Sequence, residues 1–161
     1  MKIDNKTRLR IQFLSRVVAK ERDHLLVTDQ RLFSLPFDIG RVKQMDDDVD
    51  LAERVEAFVG RFGRLQDTLG DKLLPMLLTA LGERTAVFID NLDRAERLGY
   101  VDSADEWMSI RNLRNQMVHE YIEDPLILVS ALQAGHNYVP TLEQVTNNML
   151  NEIHSRLGEE G

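Results

Sequence analysis

The sequence predicts an all-α protein, an up-and-down helical bundle of about five to six helices. Three observations carry that reading. Aromatic residues make up only 6% of the chain, there are four prolines, and no run alternates β-branched and polar residues as a half-buried strand does. Apolar residues recur instead at intervals of three and four. With 161 residues, 43% hydrophobic and 29% charged, the chain suits one compact domain spanning 1–161.

Each helix has a start or stop signal. Ile11, Leu14, Val18 and Leu25 share one face of a helix from about Lys6 to Arg31, and Ser34-Leu35-Pro36 forces the backbone out of it. Residues 37–45 read as a loop. The acids Asp46, Asp47, Asp48 and Asp50 then suit the positive end of a helix dipole. The clearest periodicity follows: Leu51, Val55, Phe58, Phe62, Leu65, Leu69, Leu73 and Met76 face one core. Gly60, Gly63 and Gly70 each cost this helix about 1 kcal/mol relative to Ala, and Pro75 should kink or break it. Gly60 and Gly63 lie on one side, where missing side chains admit a neighbouring helix or a ligand; close helix packing is the simpler reading.

Thr85 to Leu98 repeats the helical spacing at Phe88, Leu92 and Ala95, with Gly99 placed for a left-handed cap. Ser103 and Glu106 form a capping box for a helix from about Ala104, carrying Trp107, Ile110, Leu113, Met117 and Tyr121 until Asp124-Pro125 interrupts it. A short helix from Pro125 to about Ala134 and a last one from about Thr141 to Leu157, with Pro140 just before it, complete the bundle.

Composition removes several chemistries. There is no cysteine, hence no disulfide, thiolate metal site or cysteine nucleophile. No apolar run approaches the ~20 residues of a membrane span, and MKIDNKTRLR lacks a signal peptide's apolar core, so a cytoplasmic location is expected. A net charge of −7 repels polyanions over the surface as a whole, so any nucleic-acid contact is local.

One helix gathers the chemistry-bearing side chains: Arg111, Asn112, Arg114, Asn115, His119 and Tyr121. At 100° per residue Ile110, Leu113, Met117 and Tyr121 form the apolar stripe, and Arg114 falls inside it. An arginine there needs a carboxylate, a phosphate or a partner subunit. Arg111, Asn115 and His119 form a second, polar stripe. His119 stands about 140° from Arg114 on an ideal helix. Either the helix deforms before Asp124-Pro125 or a second copy of it completes the site across a two-fold axis, and the dimer is the preferred reading.

Arg114, four residues, His119, one residue and Tyr121 match the RX4HXY motif, with Asn115 following the arginine. In this the chain resembles the HEPN superfamily, in particular its HepT-like ribonuclease toxins. The segments Arg64 to Leu73, Phe88 to Leu98 and Ser103 to Tyr121 carry the likeness, which covers roughly residues 50–123. The resemblance implies a helical bundle that forms a homodimer, a metal-independent endoribonuclease activity on an RNA substrate, and a cognate nucleotidyltransferase-like antitoxin. It makes Arg114 and His119 the catalytic pair and Tyr121 a position for modification by AMP. Asn115 and Arg111 are auxiliary or phosphate-contacting candidates. No cofactor or metal is expected, and neither DNA nor a membrane is among the expected partners. The chemistry is coherent, because a histidine moves protons near neutral pH and a guanidinium stabilises a charged phosphorane. Two other readings stay open: a non-catalytic subunit that binds a nucleotidyltransferase, and a helical interaction protein in which Arg114 makes an internal ion pair.

Other patterns are set aside. Glu21-x-x-His24 has half the spacing of a carboxylate-bundle metal site but no second copy, and reads as a surface pair. Asp46, Asp48 and Asp50 begin like a calcium loop, but Leu51 and Ala57 stand where it needs Gly and Glu. His136 and His154 stand alone and read as loop or surface residues.

Overall fold

The computed structural model describes residues 3–120 and 124–157, with the backbone alone at 119 and 120. Among the described residues there is no strand, and none of the helices is long and apolar enough to cross a membrane. The chain forms α1 (Asn5–Leu32), α2 (Ile39–Gln44), α3 (Val49–Asp67), a π-helical turn (Thr68–Leu73), α4 (Leu74–Ala80), α5 (Phe88–Arg97), α6 (Ala104–Glu120) and α7 (Pro125–Leu157). Because α3, the π turn and α4 run on without a break, the bundle has six rods among the described residues.

Local chemistry sets most of the boundaries. Asp4 caps α1 by accepting from the Thr7 N–H at 2.7 Å, and Ile11, Leu14, Val18, Leu25 and Leu32 bury its inner face. Asp48 caps α3 in the same way through Leu51 N, at 3.0 Å. Gly99, at φ +84°, lets the chain turn out of α5 as its position predicted. Ser103 accepts from Glu106 N at 3.1 Å, so half of the expected capping box forms; the Ala104 N–H is taken by Glu96 of α5, at 2.8 Å. The start of α5 falls three residues later than the periodicity suggested, because Asn91 bonds both Ala86 N and Ala86 O and holds that residue in a turn.

Three expectations need correction. Residues 37–45 are not all loop: Asp38 accepts from Arg41 N and starts α2, which buries Val42. Arg41 fastens that helix to the end of α1, donating to Leu32 O at 2.7 Å and lying 5.1 Å from the centre of the Phe37 ring. Pro75 neither breaks nor ends the long helix. Its missing N–H and its ring would clash with the normal ladder, and the turn before it widens, so that Leu74 N bonds Leu69 O five residues back. Pro140, placed just ahead of a last helix, instead lies inside one continuous α7. Its ring faces solvent, while Val139 and Leu142 beside it are buried. The core contacts of these flanking residues offset the cost of a helical proline, about 3 kcal/mol.

The rods run antiparallel around one core. Arg8 to Leu157 O, Arg22 to Asn147 and Asp29 to His136 tie α1 to α7 along their length. Arg61 of α3 bonds His24 O and the Thr28 hydroxyl of α1. Phe33, Phe58 and Phe62 pack in series, the first pair edge-on and the second tilted, with ring centroids 5.2 and 5.9 Å apart. This packing sets α6 with one flank on the α3–π–α4 rod and the other beside α7.

Candidate functional site

The motif helix α6 is regular α-helix from Ala104 to Glu120. No wider or tighter turn separates Arg114 from position 119, so a deformed helix does not bring the two together within that span. The backbone at position 119 continues the face that carries Asn115 and Gln116, one turn earlier. The His119 side chain and all of Tyr121 lie outside the described residues.

Arg114 occupies the buried arc as its spacing predicted, yet its side chain is 30% exposed. Two features of the facing rod resolve this. Gly63 removes a side chain where Arg114 crosses: a Cβ there would stand 3.2 Å from Arg114 Nε and 3.3 Å from its Cγ. This is the close helix approach expected of that glycine. Asp67, one turn further along α3, accepts from Arg114 Nη2 at 3.2 Å. Arg114 Nη1 reaches the other way and donates to Asn115 Oδ1, also at 3.2 Å. Asp67, Arg114 and Asn115 therefore form a chain of hydrogen bonds across α6. Arg114 Nε is buried with no partner among the described residues.

Arg111 repeats the arrangement one turn earlier. It donates to Asp71 Oδ1 at 3.1 Å, and its guanidinium lies 4.0 Å from the centre of the Phe88 ring of α5. It thus sits at a junction between elements and not on a solvated face. The pairs Asp67–Arg114 and Asp71–Arg111 form a two-rung ladder between antiparallel helices, its acids four residues apart and its arginines three. The π turn contributes Asp71 and carries Gly70, where a Cβ would come within 3.2 Å of both Trp107 and Phe88. Trp107 is buried against that glycine, so the π turn and α6 are packed together without slack.

Beyond Asn115 a shallow groove of about 590 Å³ opens between α6 and α7, lined by Ser109, Asn112, Leu113, Asn115, Gln116, Ala134 and Tyr138. Among the described residues its lining carries no charge. Amides and a phenol offer hydrogen bonds and a ring face, while Arg114 lies on the α3 flank of the same helix and reaches toward the groove only through its bond to Asn115. Motif spacing alone pointed to Arg111, Arg114 and Asn115, but not to Asp67, Asp71 or Tyr138. Two acids four residues apart and two arginines three apart each put both members of the pair on one helix face, a signal visible in the sequence but legible only once the helices are known to be neighbours.

Glu21 also departs from its expected place. It is half-buried and turned toward the π turn, away from a surface pairing with His24. Burial raises its carboxyl pKa, outweighing the lowering by the Thr68 hydroxyl and then by Arg64 and Lys72. A carboxyl raised in the folded state gives stability fully present below the unfolded value near 4.5 and lost as pH rises through the folded value. Glu21→Gln should therefore raise the melting temperature at pH 7 by a few degrees, with the gain shrinking toward pH 4; thermal melts at the two pH values check this. His136 is likewise no loop residue: within α7 it bonds Asp29 at 2.7 Å and stacks on Phe33 at 4.3 Å.

No family model, no curated protein and no solved structure matches the chain.

Proposed function

We propose that this protein is a metal-independent endoribonuclease of the HEPN type. In this reading it is the toxin of a pair whose antitoxin is nucleotidyltransferase-like, working in the cytoplasm as a homodimer. The observation that carries the reading is the setting of Arg114. Its guanidinium is partly open, held by Asp67 behind and Asn115 beside, five residues before His119 on one unbroken helix. A guanidinium fixed in this way meets a phosphate without first being ordered, which is how preorganised charge lowers a barrier.

The roles follow from the chemistry. His119 takes the proton of the RNA 2′-hydroxyl as its oxygen attacks the adjacent phosphorus, and the P–O5′ bond breaks to leave a 2′,3′-cyclic phosphate and a 5′-hydroxyl. The 5′ oxygen leaves with a proton from the conjugate acid or from solvent. Arg114 stabilises the charge on the phosphorane, and Asn115 and Arg111 hold neighbouring phosphate oxygens. Because positions 114 and 119 lie about 140° apart on a straight helix, the reading pairs the histidine of one chain with the arginine of the other. Val118 (41% exposed) and Leu126 (65% exposed) supply apolar surface near the ends of α6 and α7 for that contact. Tyr121, two positions beyond His119, is where the antitoxin would attach AMP.

Purified chain freed of any partner should cleave cellular RNA in the presence of a metal chelator and arrest growth when expressed. Arg114→Ala and His119→Ala should each lower cleavage by about 10² to 10⁴ while keeping the helical circular-dichroism signal. Wild-type protein that leaves RNA intact and is harmless in cells overturns the reading. One observation favours the alternative of a helical interaction protein in which Arg114 makes an internal ion pair: Arg114 and Arg111 both already have carboxylate partners, Asp67 and Asp71. Its mark is a harmless wild-type protein in which Asp67→Ala lowers stability and His119→Ala changes nothing.

A further inference from the structure

The strongest unassigned feature lies on the other side of the bundle. Residues 6–20 of α1 contain Lys6, Arg8, Arg10, Arg16 and Lys20 and no acid. The rest of the chain therefore carries −12, the −7 of the whole less this +5. A concentration of one sign against so strong an opposite background makes a local field for a polyanion, and it sits where overall repulsion would otherwise keep one away.

Two structural observations give that charge a shape. Phe13 is 44% exposed and lies between two guanidinium groups, Arg10 at 5.4 Å and Arg16 at 5.9 Å from its ring centre. An exposed aromatic ring with a cation on each side, the two arginines about 9 Å apart along the helix, is suited to stack a base while holding the phosphates that flank it. Beside it, α1 and α7 enclose a groove of about 610 Å³ lined by Gln12, Arg16, Arg22, Asn147, Asn151 and His154, with Ser15, Ala19, Leu150 and Ile153 completing its wall. Among the described residues that lining contains no carboxylate. Arg22 is fixed there by donating Nη1 to Asn147 Oδ1 at 2.8 Å, and Nε to the outward-facing Asp23. Glu152, the only acid among residues 147–156 of α7, is engaged by Arg156.

We infer that this face of α1, with the groove it shares with α7, is a docking site for single-stranded RNA, in which Phe13 stacks a base and Arg10, Arg16 and Arg22 hold phosphates. It deepens the ribonuclease reading and rests on it for the choice of RNA as the polyanion. The site is separate from the motif helix. The α6–α7 groove is lined by Ala134 and Tyr138 of α7 and this one by Asn147 to His154, so they are offset by roughly 20 Å along that helix. A strand that occupies both is long, and the site then confers a preference for extended single strands over short ones.

The test uses full-length protein carrying His119→Ala, so that the probe is not consumed, and a fluorescein-labelled unstructured RNA of about 12 nucleotides read by anisotropy. Arg10→Glu with Arg16→Glu should weaken binding by at least about tenfold and flatten its salt dependence. Phe13→Ala, which removes no charge, should weaken it by about tenfold through lost stacking. These side chains are exposed or at the surface, and a melting temperature confirms that each variant is folded. If either variant, folded, binds within about twofold of its parent, or if heparin binds and the RNA does not, the docking site is overturned. Cleavage assays with His119 restored separate the two proposals. Loss of long-RNA cleavage with unchanged turnover of a dinucleoside substrate supports the docking site. Binding that responds to the variants in a protein that cleaves no RNA overturns the ribonuclease reading and leaves the docking site standing.

Discussion

Mixing Arg114→Ala protein with His119→Ala protein restores RNA cleavage that neither shows alone. The expectation follows from the regular course of α6, which puts positions 114 and 119 about 140° apart with no distortion between them. If the arginine of one chain works with the histidine of the other, a mixed dimer holds one site with both groups intact and one with neither. Random exchange of subunits then recovers about a quarter of wild-type activity, since half the dimers are mixed and each has one working site. Against single variants reduced by about 10² or more, that is a large signal. The measurement is a fluorogenic RNA assay after the two proteins have exchanged, with sedimentation to follow the dimer. No recovery despite demonstrated exchange places both groups in one chain, which this helix geometry does not accommodate, and removes the two-fold cleft from the proposal.

Much of the frame on which that prediction rests was legible in the sequence, and particular residues show where legibility stopped. The long helix through Phe58 and Phe62 announced itself because eight apolar positions kept one phase, and Ser103, Asp48 and Gly99 marked boundaries through short-range bonding that spacing reveals. α2 was missed because six residues are too few for a period; only Asp38, as a cap, betrayed it. The continuity of α7 through Pro140 was hidden because local cost argued for a break, and the compensation comes from Val139 and Leu142 meeting other helices. The same limit applies at the site. Spacing showed that Arg114 falls among buried positions and needs a partner, but Asp67 is 47 residues away and Gly63 still further, so the answer appears only when α3 and α6 lie side by side. Glu21 was misread for a similar reason, since its burial against the π turn is a property of the packed α1–α3 pair.

The largest expected loss of stability is at Phe58. Its ring is fully buried and meets three parts of the fold. It packs edge-on against Phe33 at the end of α1 and beside Phe62 on its own helix. Gly135 of α7 lies over it, so close that a Cβ there would stand 3.1 Å from the ring and 3.5 Å from Met117 Sδ of α6. Phe58→Ala should cost about 3–5 kcal/mol, the lost transfer energy plus that of a cavity the surrounding helices cannot collapse into. Against a typical total of about 5–15 kcal/mol, this leaves a marginal protein. Urea denaturation checks the magnitude, through a midpoint that falls with little change in slope. The consequence reaches function because Met117 lies between Arg114 and His119 on α6 and the Phe58–Gly135 contact is one of its supports. Partial refilling by Phe58→Leu should therefore recover stability and RNA cleavage together. A Phe58→Ala protein that loses less than about 1 kcal/mol would mean that the helices close over the gap, against the close packing at Gly135.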